Sequence, residues 1–156
     1  MNPSTSPALD RSQQIDVVAG QLLSNAALLT RLLVRQVGGE LSRTEAGLLS
    51  TLARGAQRIT ALAELEGLAQ PTMTSIVKQL EQRGLVRRER QTDDGRVVLV
   101  TLTEAGSVAL EDYRVRARSV LGTYLAEIGD EQVQALAAAT DALARLVALL
   151  QQRPVP

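Results

Sequence analysis

Within ten residues the chain places Arg87, Arg88, Arg90 and Arg96, the last just past Asp94-Gly95. Guanidinium is a planar fork of donors, charged at every accessible pH, and it suits phosphate and carboxylate. The chemistry open to this cluster is therefore anion binding. Asp94 adds a finer version: its carboxylate can hold Arg96 by a charge-assisted bond so that the side chain projects into a minor groove. Read plainly, Asp94-Gly95 is only a hairpin turn, and both readings stay open at this point. A little upstream, Pro71, Thr74, Ser75, Lys78 and Gln82 combine short hydroxyl side chains with the chain's one lysine. Such groups reach base edges and phosphates without holding a backbone away from them.

Composition closes off most other chemistry. The 156 residues contain no Cys and no His, which removes disulfides, thiol redox switching, Cys/His metal sites, thiol nucleophiles and imidazole bases. A two-carboxylate hydrolase needs its acids facing each other across a cleft, whereas here they scatter over helix faces patterned for solvent. The expectation is no catalysis, no metal and no cofactor. Seventeen basic residues balance seventeen acidic ones, so the whole-chain charge announces no nucleic-acid partner. From residue 54 to residue 96 eight basic residues meet six acidic ones. The patch is local, and a solvated surface carries clusters of this size too. Residues 1–9 lack the basic start and apolar run of a secretory leader, and no stretch reads as long and uncharged enough to span a membrane. The expected location is cytoplasmic.

The elements that must position these groups follow from caps and periodicity. Asp10 with Gln13, and Ser42 with Glu45, form capping boxes that start two helices. The first, over 10–37, carries Ile15, Val18, Leu22, Leu29, Leu32 and Leu33 and ends at Gly38-Gly39; its apolar arc is wide enough to need cover from a partner subunit as well as its own core. Further helices are expected over 43–54, 61–66 and 70–82. After Gly84 the period changes, and 85–91 and 96–102 read as the two strands of a hairpin, the only β element in the pattern. Helices over 103–128 and 130–152 complete the chain, separated by Gly129-Asp130. With no Phe or Trp, and only Tyr113 and Tyr124 as aromatics, the core must be aliphatic. The fold class is mainly α with a small β-hairpin wing.

Ala63, Gly67 and Met73 fall where a helix-turn-helix needs a small residue, a left-handed turn and an apolar plug. On the helix over 70–82, Met73, Ile76, Val77 and Leu80 share one face at the period of about 3.6 residues, which turns the hydroxyl and lysine set outward. Any amphipathic surface helix has such an outer face; the adjacent arginine hairpin is what gives this one a nucleic-acid meaning.

At this point the order ITALAE (59–64), GLAQPTMT (67–74), LEQRGLVRR (80–88), DDGR (93–96) and LTEAG (102–106) resembles the MarR family of bacterial regulators. The similarity extends over residues 10–150. It implies a winged helix-turn-helix fold and an intertwined α-helical homodimer. Its divisions are a disordered N-terminal arm (1–9), a helical dimerisation region (10–40 with 103–152), a DNA-binding lobe (41–102) and a tail (153–156). Dimer cover would explain the wide arc of the first helix and the apolar last one. The resemblance makes Thr72, Thr74, Ser75 and Lys78 recognition-helix contacts and Arg88 and Arg90 wing or backbone contacts, with Arg96 the minor-groove arginine set by Asp94. Thr72 in the first turn would meet phosphate. The implied function is repression from a pseudo-palindromic double-stranded DNA operator, its half-sites about one helical turn apart, with release by a small organic effector of unidentified site. Two positions depart from the family pattern. Gly95 replaces an arginine at the wing tip, and Ala69 stands where a capping Ser is usual, so both put the strength of DNA binding in question. The rival reading is a winged-helix protein-interaction module without operator binding.

Overall fold

The computed structural model describes residues 10–90 and 98–152. In chain order it holds α1 (Arg11–Val37), α2 (Arg43–Leu52), β1 (Gln57–Arg58), α3 (Ile59–Glu66), α4 (Gln70–Gln82), β2 (Val86–Arg90), β3 (Val98–Leu102), α5 (Glu104–Leu125) and α6 (Asp130–Gln152). The strands form one antiparallel sheet in the order β1-β3-β2. The expected mainly helical, winged architecture is thus present. Both capping boxes form: Asp10 accepts from the Gln13 amide at 2.9 Å and Ser42 from that of Glu45 at 3.3 Å, with Gln13 and Glu45 each returning the bond.

Several boundaries differ from the sequence expectation; α3, for one, begins at Ile59 rather than 61. The hairpin is not the only β structure, because Gln57 and Arg58 pair with Val100 and Leu99; two residues carry no period, and only the free edge of β3 makes them a strand. α2 ends at Leu52 rather than 54. α5 begins after Thr103, its cap, whose hydroxyl accepts from the Gly106 amide at 3.0 Å and donates to the Gly84 carbonyl at 2.7 Å; it ends at Leu125 rather than 128, where the Glu127 amide turns back to the Tyr124 carbonyl at 3.1 Å. The Asp94-Gly95 turn, the N-terminal arm and the tail lie outside the described residues.

The chain divides into two compact units, one through Ala117 and one from Arg118. The core of the first is aliphatic. Leu48 and Leu49 of α2, Leu62 of α3, Met73, Val77 and Leu80 of α4, and Val100 of β3 are fully excluded from solvent. Each such side chain contributes about 1.5–3 kcal/mol by burial. Leu110 of α5 closes this core, with Tyr113 packed at its margin. Gly106 sits where α5 crosses the strand entrance: a Cβ there would stand 2.0 Å from the Leu85 carbonyl oxygen. Only glycine permits that approach.

The long helices are different. In α1 only Val37 is buried, and Ile15, Val18, Leu23 and Leu29 are exposed. In the second unit, α6 has no buried residue; Leu136, Leu143, Val147 and Leu150 lie open. By length and composition alone both helices are long and apolar enough to span a membrane, where the sequence reading expected no stretch long and uncharged enough; a helix covered by protein meets the same measure.

Candidate nucleic-acid interface

The turn between α3 and α4 is built as the residue types demand. Gly67 ends α3 with φ +64°, a left-handed conformation costly for residues with a Cβ. The Leu68 amide then closes back onto the Ala63 carbonyl at 2.9 Å. Ala63 is buried and Met73 is fully enclosed, the small residue and the plug that let two short helices cross.

α4 starts without a side-chain cap, since Ala69 holds the cap position in an extended conformation. Pro71 has no N–H and so removes one of the helix start's orphan donors; the Thr72 amide is left for a cap to satisfy. Ala69→Ser is therefore expected to raise stability by about 1 kcal/mol, seen as a higher melting temperature by circular dichroism. An unchanged or lower melting point would mean that the orphan amides already have partners.

Met73, Val77 and Leu80 bury one side of α4, and Thr72, Thr74, Ser75, Lys78 and Gln82 are exposed. The structure thus brings together the four recognition-helix residues that the sequence singled out. The Thr74 hydroxyl donates to the Gln70 carbonyl at 2.9 Å, so its proton is committed and its oxygen remains an acceptor.

The last turn of α4 is an anchor. Arg83 Nη1 meets Glu45 Oε1 at 2.8 Å and its Nη2 donates to the Glu40 carbonyl at 3.0 Å. Arg88 on β2 turns back to Glu81: its Nε donates to Oε2 at 2.8 Å, and Nη2 shares the same oxygen. Strand alternation explains the direction, since buried Val86 and Arg88 point to one side of β2 and exposed Arg87 to the other. The hydrogen bond from Arg88 holds the Glu81 carboxyl below its ordinary value, and Glu81 raises Arg88 in turn. A lowered carboxylate pKa means that the pair is complete at neutral pH and is lost only as acid protonates Glu81 below the usual carboxylate range. Arg87 meets Glu89 at 2.6 Å and Thr101 Oγ1 at 3.1 Å.

Of the four wing residues expected from the sequence, Arg88 is therefore ion-paired beside α4. Arg90 has its main chain in β2 opposite Val98, with its side chain undescribed, and Asp94 and Arg96 lie outside the described residues. Sequence reasoning missed Glu81 and Arg83, and read Glu45 only as the capping partner of Ser42, not as the partner of Arg83. The parity of β2 was the available signal for Glu81, because a core-facing Val86 sends Arg88 toward α4.

Comparison with known proteins places this geometry. Residues 41–98 match the model of the MarR family, the span from just before α2 to the start of β3. An uncharacterized HTH-type transcriptional regulator of Mycobacterium bovis is 31% identical over 133 residues, covering 81% of this chain and 93% of the relative. The HTH-type transcriptional repressor MdtR of Bacillus subtilis is 26% identical over 137 residues, covering 81% and 88%. Among solved structures, a MarR family protein from Bacillus stearothermophilus has the same fold with TM-score 0.68 at 22% identity, covering 90% of this chain and 99% of its own. The first two are named as transcription regulators, and all three matches run well beyond the helix-turn-helix. With its left-handed turn, enclosed plug, polar outer helix face and paired wing strands, the chain belongs to the MarR family and is a DNA-binding transcription regulator.

Proposed function

We propose that the protein is a homodimeric repressor, acting in the cytoplasm on a pseudo-palindromic operator, with one α4 in each of two successive major grooves. The observation that carries the reading is the exposed face of Thr72, Thr74, Ser75 and Lys78 mounted on a fully buried row of Met73, Val77 and Leu80. A rigidly seated helix with short polar side chains outward can read base edges. Lys78 takes phosphate or guanine, and Thr72 with the uncapped start of α4 takes phosphate. Arg90 and Arg96 serve as wing contacts, with Asp94 orienting Arg96; Arg88 reaches phosphate only by giving up Glu81.

The uncovered apolar faces of α1 and α6 support dimerisation, for a second copy would bury them as lipid would in a membrane protein. Release by a small organic effector draws support from an open groove of about 600 Å³ on α1, lined by Ala27, Leu28 and Val34 with Arg31, Arg35 and Arg43. Apolar walls with three guanidinium groups suit an organic anion.

Fluorescence anisotropy across a salt series, on duplexes recovered from a random-sequence pool, tests the core of this reading. Wild type is expected to bind selectively and with steep salt dependence. Lys78→Ala should lower the salt slope by about one and weaken binding, and Arg96→Ala should weaken it through the wing. Absence of selective binding at low salt would favour the protein-interaction module instead.

A further inference from the structure

We propose that Glu81 is a specificity-determining residue: it occupies Arg88, withholds one positive charge from phosphate, and so keeps sequence-independent DNA binding weak. The inference rests on the DNA-binding surface proposed above.

Arg88 commits two donors to one Glu81 oxygen. The pair spans the α4-to-β2 turn, joining the recognition helix to the first wing strand. Both side chains are about a third exposed, 37% for Arg88 and 32% for Glu81. Exposed pairs of this kind contribute little to folding, so stability is a poor reason for a carboxylate here. Its neighbours repeat the pattern: Arg83 is matched by Glu45 and Arg87 by Glu89. Among the described residues from Lys78 to Glu89, the cation with no carboxylate partner is Lys78, on the reading face of α4 itself. Between Lys78 and Glu89 the described charges beside the recognition helix are thereby paired, and the one upon it is not.

That distribution matters because phosphate neutralisation is sequence-blind. Each lysine or arginine that meets a phosphate adds about 0.9 to the slope of log affinity against log salt, on any duplex. Base-edge contacts add affinity on one sequence alone. Freeing Arg88 adds to the first kind of binding without adding to the second, so the ratio of specific to non-specific affinity falls. Glutamine at 81 keeps the size of the side chain and an acceptor oxygen but removes the charge that holds and compensates the guanidinium.

The experiment compares full-length wild type, Glu81→Gln, Arg88→Ala and the double variant on two duplexes, one recovered from a random-sequence pool by the wild type and one scrambled. Anisotropy is read across a salt series, with melting followed by circular dichroism. Glu81→Gln should bind the scrambled duplex several-fold tighter, steepen its salt slope by about one, and lower the specificity ratio, with little change in melting temperature. In the Arg88→Ala background the same substitution should leave the slope nearly unchanged. The proposal is overturned if Glu81→Gln alters neither slope nor ratio, if it acts equally with and without Arg88, or if it acts chiefly by lowering the melting temperature. Lys78→Ala in the same assay tests the underlying surface: if it leaves selective binding intact, that surface is wrong, whatever Glu81 does.

Discussion

Gly106→Ala is expected to lower the melting temperature by about 10 °C or more, for among the described glycines it is the one whose added Cβ would come nearest another atom. The new Cβ would stand 2.0 Å from the Leu85 carbonyl oxygen and 2.7 Å from Leu102 Cδ1. The leucine methyl can move aside. The carbonyl has less freedom, because it accepts from the Thr103 amide at 3.2 Å and belongs to the residue before buried Val86. Adding a methylene to a packed interior typically costs about 1–3 kcal/mol, and a backbone obstruction puts this case at the top of that range or above it. Against a total stability of about 5–15 kcal/mol, that is a large share. Thermal melting by circular dichroism checks it; an unchanged melting point would mean that α5 and the strand entrance do not approach so closely.

The other large effect concerns assembly. Leu143 and Leu150 lie seven residues apart, two turns along one face of α6, and are 43% and 56% exposed. If the chain is the dimer proposed above, Leu143→Glu with Leu150→Glu is expected to turn it into a monomer in sedimentation or light scattering. The buried core of the first unit contains no residue of α6, so the DNA-binding lobe should remain folded. Operator affinity should then fall by roughly 100-fold or more, since two linked half-site contacts become one. A double variant that still sediments as a dimer would remove α6 from the interface.

Much of this architecture was legible in the sequence because it is local. Capping residues, the apolar period of α4, and the succession of Ala63, Gly67 and Met73 act through neighbours a few positions away, and each is where it was expected. What escaped depends on distant partners. β1 exists because β3 offers an edge, and Gln57-Arg58 has no pattern of its own. LTEAG at 102–106 matched a family, yet the reason for its glycine is the carbonyl of Leu85, on the far side of the hairpin. The arginines of β2 read as a run of equivalent cations, whereas Glu81 and Glu89 distinguish Arg88 and Arg87 by pairing them differently. Side-chain length made the difference: Arg and Glu reach far enough that sequence spacing does not name their partners.

Arg83 joins three parts of the chain at one guanidinium: the end of α4, the capping box of α2, and the carbonyl of Glu40 in the segment that leaves α1. Just before Glu40 stand Gly38 and Gly39, with φ of +55° and +108°, and the Arg116 guanidinium lies across the second of them. α4 is thus tied to the first residue after two positive-φ glycines. A rotation of α1 that stays within the two glycines leaves α4 where it is; one that carries Glu40 along pulls directly on the helix's last turn. The limit between a harmless motion and a consequential one falls at a single peptide unit, well outside the hydrophobic core.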